Sequence, residues 1–337
     1  MAIAAEHEAE SAAASGADEA SLLSLPVNPV PPTARPGWVW TPDGVRLRYA
    51  RFEPGRRPSL GTVLLATGRA EAIEKYFETV EDLRARGFGV VVFDWRGQGK
   101  SDRLLSDRAK GHVESFDDYV LDLETVIRDV LLPDCRAPFH LVAHSMAGLV
   151  AMLAGPRVTS RLKRMVCLAP LLRLGTDMPI SQEVLAAITG TLTFLGLGTL
   201  HATGSRRVQP PDFIGNRLTG DPVRYARNRA LVEADPDLSM AGPSVGWLDA
   251  ACRAMERVRD PALVAAHVVP TLMVSAGNDS VVDSRAIDAY AHALRAGAHL
   301  TVPGAKHELL QERDRFREPL LAAIDAFVPG TDPIADC

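Results

Sequence analysis

The chain of 337 residues is short of several things that would narrow its role at once. Its four cysteines, Cys135, Cys167, Cys252 and Cys337, are widely spaced and form no C-x-x-C pair. That excludes the common zinc and disulfide patterns and fits reduced thiols in a cytosolic protein. Cys337, as the final residue, is no prenylation signal. His112, His140, His201, His267, His292 and His299 fall at no metal-ligand spacing. A basic surplus is also missing: the net charge is -5, which argues against a nucleic-acid partner. No Lys or Arg precedes Arg35, so the positive start of a secretory signal is absent. No internal repeat is evident. The expectation is a cytoplasmic protein with no cofactor and no metal; oligomeric state is not legible.

What is present is ordinary globular composition, 47% hydrophobic and 23% charged. Residues 1–35 read as a disordered acidic tail followed by a Pro-rich connector, "PVNPVPPTARP". Residues 37–52 read as two strands around a Pro-Asp-Gly turn. Beyond them, short apolar runs at 62–67, 89–94, 140–145, 164–169, 271–276 and 299–303 alternate with helical stretches. Near-continuous apolar character fits strands covered on both faces. Helices are expected at 74–86, at 116–131 behind the capping pair Ser115 and Asp118, and at 284–296 and 312–327. This alternation implies a mostly parallel sheet with helices on both faces. The core is expected at 36–170 and 259–330. The interval 171–258 breaks the alternation and reads as an inserted, mostly helical cap or lid. Within it, residues 184–205 carry no formal charge. Their Thr and Gly content and their place between core strands favour an apolar lid over a membrane span.

Glycine is missing where one motif would want it. "FHLVAHSMAGLV" (139–150) ends an apolar run at Ser145 and continues into small residues. A serine on a sharp strand-to-helix turn usually stands in G-x-S-x-G, but here Ala143 and Ala147 replace both glycines. Two more strand ends carry matching chemistry. Asp279 follows "TLMVSAGN", and His307 follows "HLTVPGAK". Serine hydroxyl is a weak nucleophile at neutral pH. An imidazole must take its proton, and a carboxylate must orient that imidazole. The order Ser, Asp, His along the chain is that of the α/β-hydrolases. An oxyanion needs donors as well. One is expected from the backbone N–H of Met146; the other should come from the loop "LLATGRAE" (64–71), where Gly68 permits close approach.

These stretches resemble the bacterial lysophospholipase and monoacylglycerol lipase branch of the α/β-hydrolase superfamily, over about residues 36–328. "GRAEAIEKY" (68–76) is similar to its oxyanion loop and "FDWRGQGKSDR" (93–103) to the loop after its next strand. "AHSMAG" (143–148) is similar to its elbow, "AGNDSVVD" (276–283) to its acid loop and "GAKHELLQE" (304–312) to its histidine loop. The resemblance implies an α/β-hydrolase fold. It implies Ser145, Asp279 and His307 as catalytic residues, and Arg69 and Met146 as oxyanion donors. "NRLTGDPVRYARNRALVEADP" (216–236) is similar to the lysophospholipase-like cap. Thr67-Gly68 departs from the His-Gly pair usual in monoacylglycerol lipases.

The remaining residues divide less sharply. Asp283 is a second candidate acid but suits a helix N-cap. His144 should pack behind the nucleophile, and Trp95 in the core or a pocket wall. "GQGKS" (97–101) lacks the leading Gly of a phosphate loop, having Asp94 there. Glu71 reads either as substrate-binding or as an ion pair that fixes the loop. Phe194 and Leu195 are expected to wall an acyl tunnel, with transient membrane-surface contact outside it. The expected activity is hydrolysis of a single-chain lipid ester, lysophospholipase-like. A monoacylglycerol lipase, a short-chain carboxylesterase and a ligand-binding protein with a vestigial triad are the alternatives.

Overall fold

A computed structural model describes residues 19–175, 177, 179–202 and 212–328. Most of the expected acidic tail, together with Met178 and Cys337, lies outside them. Eight strands form one sheet: β1 (Arg35–Trp40), β2 (Arg46–Phe52), β3 (Thr62–Ala66), β4 (Gly89–Phe93), β5 (Phe139–His144), β6 (Arg164–Leu168), β7 (Thr271–Ala276) and β8 (Gly297–Val302). Their order is β1-β2-β4-β3-β5-β6-β7-β8. β1, β2 and β4 pair antiparallel, and every pairing from β4 through β8 is parallel. The central strands β3, β4 and β5 are buried at every position. Their unbroken Val, Leu and Phe runs follow from helices covering both faces.

The helices, some over the sheet and some in the insertion, are α1 (Phe77–Ala85), α2 (Phe116–Val126), α3 (Met146–Val158), α4 (Gln182–Phe194), α5 (Pro222–Ala234), α6 (Val245–Arg257), α7 (Pro261–Ala266), α8 (Ser284–Ala293) and α9 (Asp314–Phe327). Ser115 and Asp118 form the expected capping box on α2. α2 continues into a wider turn over Ile127–Leu131, where the Leu132 amide reaches back to the Ile127 carbonyl. Pro133 follows directly, and its ring cannot sit over an ordinary helical carbonyl. α1 begins one turn late, behind a 3-10 turn at Ile73–Tyr76.

Two segments differ from expectation. The end of the tail and the Pro-rich connector are tied down: Arg48 donates to the Ser21 carbonyl at 2.9 Å, and Asn28 to the Glu74 carbonyl at 2.9 Å. The arginine is itself held by buried Glu74 and Asp94, both at 2.7 Å. A buried cation with two carboxylates gives the strap a fixed polar anchor. The β6–β7 interval is also not uniform. α6 buries Trp247, Ala250, Ala251, Cys252, Ala254 and Met255 in the main core, whereas α4 buries only Leu185 and Thr189.

Candidate active site

Ser145 occupies the single residue between β5 and α3, with φ 52° and ψ -113°. A β-carbon is strained in this region, and such strain persists only where the surroundings fix it. Here the Ser145 amide donates to the Leu168 carbonyl at 2.9 Å, and its own carbonyl accepts from Gly148 at 2.9 Å and Leu171 at 3.0 Å. Ala143 and Ala147 sit fully buried beside it. The sharp turn therefore forms with alanine at both flanks. The close approach falls one residue later: a Cβ on Gly148 would lie 2.6 Å from that of Pro170.

The loops after β7 and β8 bring the other two residues to the serine. His307 Nε2 lies 2.9 Å from Ser145 Oγ, and His307 Nδ1 lies 2.8 Å from Asp279 Oδ2. Asp279 Oδ1 accepts the amides of Val281 at 2.7 Å and Val282 at 3.1 Å. Burial pushes the Asp279 carboxyl up, but the imidazole and these amides outweigh it and hold it below the usual carboxylate range. Asp283 instead caps α8, accepting from the Arg285 amide at 3.0 Å.

The loop after β3 lies alongside. Gly68 has no room for a side chain, since a Cβ would be 2.7 Å from Glu71 Oε2 and 2.8 Å from His144 Nδ1. Ala70 adopts φ 62° and is held by Gln98, which accepts its amide at 2.8 Å. Trp95 is buried and donates to the Thr67 carbonyl at 2.7 Å. Met146 opens α3, so its amide has no acceptor within the helix.

Behind this loop is a buried polar cluster that the sequence showed only in part. Glu71 accepts from the Gly68 amide, from Tyr76 at 2.6 Å and from Lys75 at 2.8 Å. Lys75 also reaches Glu308 at 2.6 Å. His144 faces Glu71 at 3.2 Å through Nδ1 and the His307 carbonyl at 3.3 Å through Nε2. Both ring nitrogens thus point at acceptors, the pattern of an imidazolium. Burial alone would lower the His144 pKa, but the Glu71 carboxylate raises it. Burial would raise that of Glu71, and Lys75 and His144 hold it well below the carboxylate range. Glu71, Lys75, Glu308 and His144 together join the loop after β3 to the backbone of His307.

Glu71, read either as a substrate ligand or as an ion pair that fixes the loop, has its carboxylate already occupied by protein donors. Phe194 and Leu195, expected to wall an acyl tunnel, end α4 at 90% and 63% exposure, among a surface row that includes Val184 and Ile188. Gln98, Lys75, Tyr76 and Glu308 were missed. Only the Lys75 spacing, four residues from Glu71 near a helix start, gave a signal. Among the described residues no group of three or more His, Cys, Asp or Glu side chains could hold a metal ion.

Fold and site together are those of a carboxylic ester hydrolase of the α/β-hydrolase class. The chain belongs to the family Hydrolase_4, described as serine aminopeptidase, S33, whose model matches residues 57–314. It is 32% identical to lysophospholipase L2 of Escherichia coli K12, covering 85% of this chain and 84% of that protein. It is 26% identical to phospholipase YtpA of Bacillus subtilis, over 86% and 98% of the two chains. Among solved structures, a soluble variant of Saccharomyces cerevisiae monoglyceride lipase in complex with a substrate analog matches with TM-score 0.70 and 17% identity, over 92% of this chain and 99% of that one. A Paleococcus ferrophilus monoacylglycerol lipase matches with TM-score 0.64 and 21% identity, over 84% and 98%.

Proposed function

We propose that the protein cleaves the ester of a single-chain amphiphile, lysophospholipase-like, through an acyl-enzyme. Ser145 Oγ attacks the ester carbonyl while His307 Nε2 takes its proton. Asp279 orients the imidazole and stabilises its cationic form. The Arg69 and Met146 amides hold the developing oxyanion. His307 then protonates the leaving alcohol, and water attacks the acyl group by the same route in reverse.

The observation that carries this reading is the hydrogen-bonded series Ser145–His307–Asp279 on a strained turn. The relatives named lysophospholipase and phospholipase support a lipid ester as substrate. An aminopeptidase needs a free carboxylate for the substrate's amine, and Glu71 and Glu308 are already paired, both with Lys75 and Glu71 also with His144. The insertion ahead of α6, in its described residues, serves as a cap over the site. Its exposed Val184, Ile188, Phe194 and Leu195 form a surface for transient contact with micelles or membrane. No helix among the described residues is long and apolar enough to cross a membrane, and a cytoplasmic location is part of this proposal.

A hydrolysis panel tests it: lysophosphatidylcholine, monoacylglycerol, p-nitrophenyl esters from C2 to C14 and an aminoacyl-anilide. Turnover of the long-chain lipid esters is expected. Activity confined to C2–C4 esters, or to the anilide, would overturn it.

A further inference from the structure

Arg69 contributes its backbone to the proposed oxyanion hole, but its side chain is the more unusual feature. One terminal nitrogen donates to the Ala241 carbonyl at 2.8 Å. Nε is buried with no acceptor. The guanidinium lies 5.1 Å from the centre of the Trp247 ring. Among the described residues it makes no ion pair with any carboxylate, whereas buried Arg48 and Arg96 each hold two. Burial without a counter-charge lowers its pKa to about 10, with only Tyr119 acting the other way.

A half-buried cation with an unpartnered Nε and no counter-charge is costly unless something anionic completes it. The surroundings also leave it little freedom: a Cβ on Gly111 would lie 2.6 Å from the terminal nitrogen. We propose that the Arg69 guanidinium is a head-group site that takes the phosphate of a lysophospholipid, and so favours phosphate-bearing esters over neutral monoacylglycerols. The inference rests on the lipid-ester reading above. In such a substrate, glycerol carbons separate the scissile ester from the phosphate. An arginine side chain is of similar length. With the carbonyl oxygen at the Arg69 amide, the same residue's side chain can therefore meet the phosphate. Guanidinium is suited to this task, because it offers paired N–H groups in a fixed plane.

The test uses the full chain and two substrates with one acyl chain, lysophosphatidylcholine and monoacylglycerol. Whatever Arg69→Gln costs the shared chemical step cancels in the ratio of their kcat/KM values. That ratio is expected to fall at least tenfold. A ratio unchanged in R69Q, with both lipids still cleaved by the wild type, would overturn the head-group site and leave the lipid-ester reading intact. Failure of the wild type on both lipids would instead remove that reading. A second measurement needs no variant: glycerol 3-phosphate should inhibit p-nitrophenyl ester hydrolysis competitively, and glycerol should not. Equal inhibition by the two, or none by either, counts against the proposal.

Discussion

Gly148 and Pro170 meet so closely that a methyl group on the glycine would lie 3.0 Å from the proline Cα as well as 2.6 Å from its Cβ. The contact sets α3 against the loop after β6 and thereby fixes the turn at Ser145. Gly148→Ala should push the helix away, lowering both kcat and Tm. Ala143→Gly with Ala147→Gly should keep activity and change stability by about 1 kcal/mol either way. Urea unfolding and ester kinetics on both variants check this. A harmless G148A would break the argument.

The Glu71 cluster predicts a positioning effect. Glu71→Gln leaves His144 beside a neutral amide and Lys75 with Glu308 alone. Removing one partner of a buried ionic set costs about 3 kcal/mol, so the urea midpoint should fall. kcat should fall more than KM changes, because the loop amide and the His307 backbone are what the cluster holds. A KM effect alone would return Glu71 to the substrate-binding role.

Two buried histidines outside the site set an acid limit. Burial lowers His140 and His267 each to about 4, from an ordinary 6.5. Neither ring nitrogen of His140 has a hydrogen-bond partner. The unfolded chain binds more protons than the folded one between these values, so stability is full above pH 6.5 and falls as pH drops toward 4. His140→Leu should flatten the Tm-against-pH curve across that window. An unchanged slope would exclude His140 as a cause.

Phe194→Ser with Leu195→Ser should weaken attack on micellar or vesicle-bound substrate while leaving hydrolysis of soluble short-chain esters unchanged. Both side chains face outward, so the effect should enter through binding to the lipid surface. Vesicle co-sedimentation alongside kinetics measures it. A loss equal on soluble and vesicle-bound substrates would place them in the acyl site after all.

Strand positions and the Ser, Asp, His order along the chain were legible because each rests on local signals. Apolar runs mark β3 to β8, and Ser145, Asp279 and His307 follow those of β5, β7 and β8. The elbow was harder to judge from the motif, because the steric demand sits at Gly148 rather than at positions 143 and 147. The brace was hidden for another reason. Lys75 and Glu308 are 233 residues apart, and no local pattern pairs them. The exposure of Phe194 and Leu195 was not legible, because an uncharged run reads alike for a tunnel wall and an outer lipid-facing row.

Covalent labelling tests the central claim most directly. Treated with a fluorophosphonate, the protein should gain one adduct, mapped by mass spectrometry to Ser145. Ser145→Ala should abolish it. His307→Ala should slow labelling and ester turnover by orders of magnitude, without adding to the loss in S145A, since the residues act as a unit. Asp279→Asn should cost less, by leaving the imidazole in the wrong tautomer. Ester hydrolysis that continues with Ser145 unmodified, or an adduct on another serine, would contradict the account.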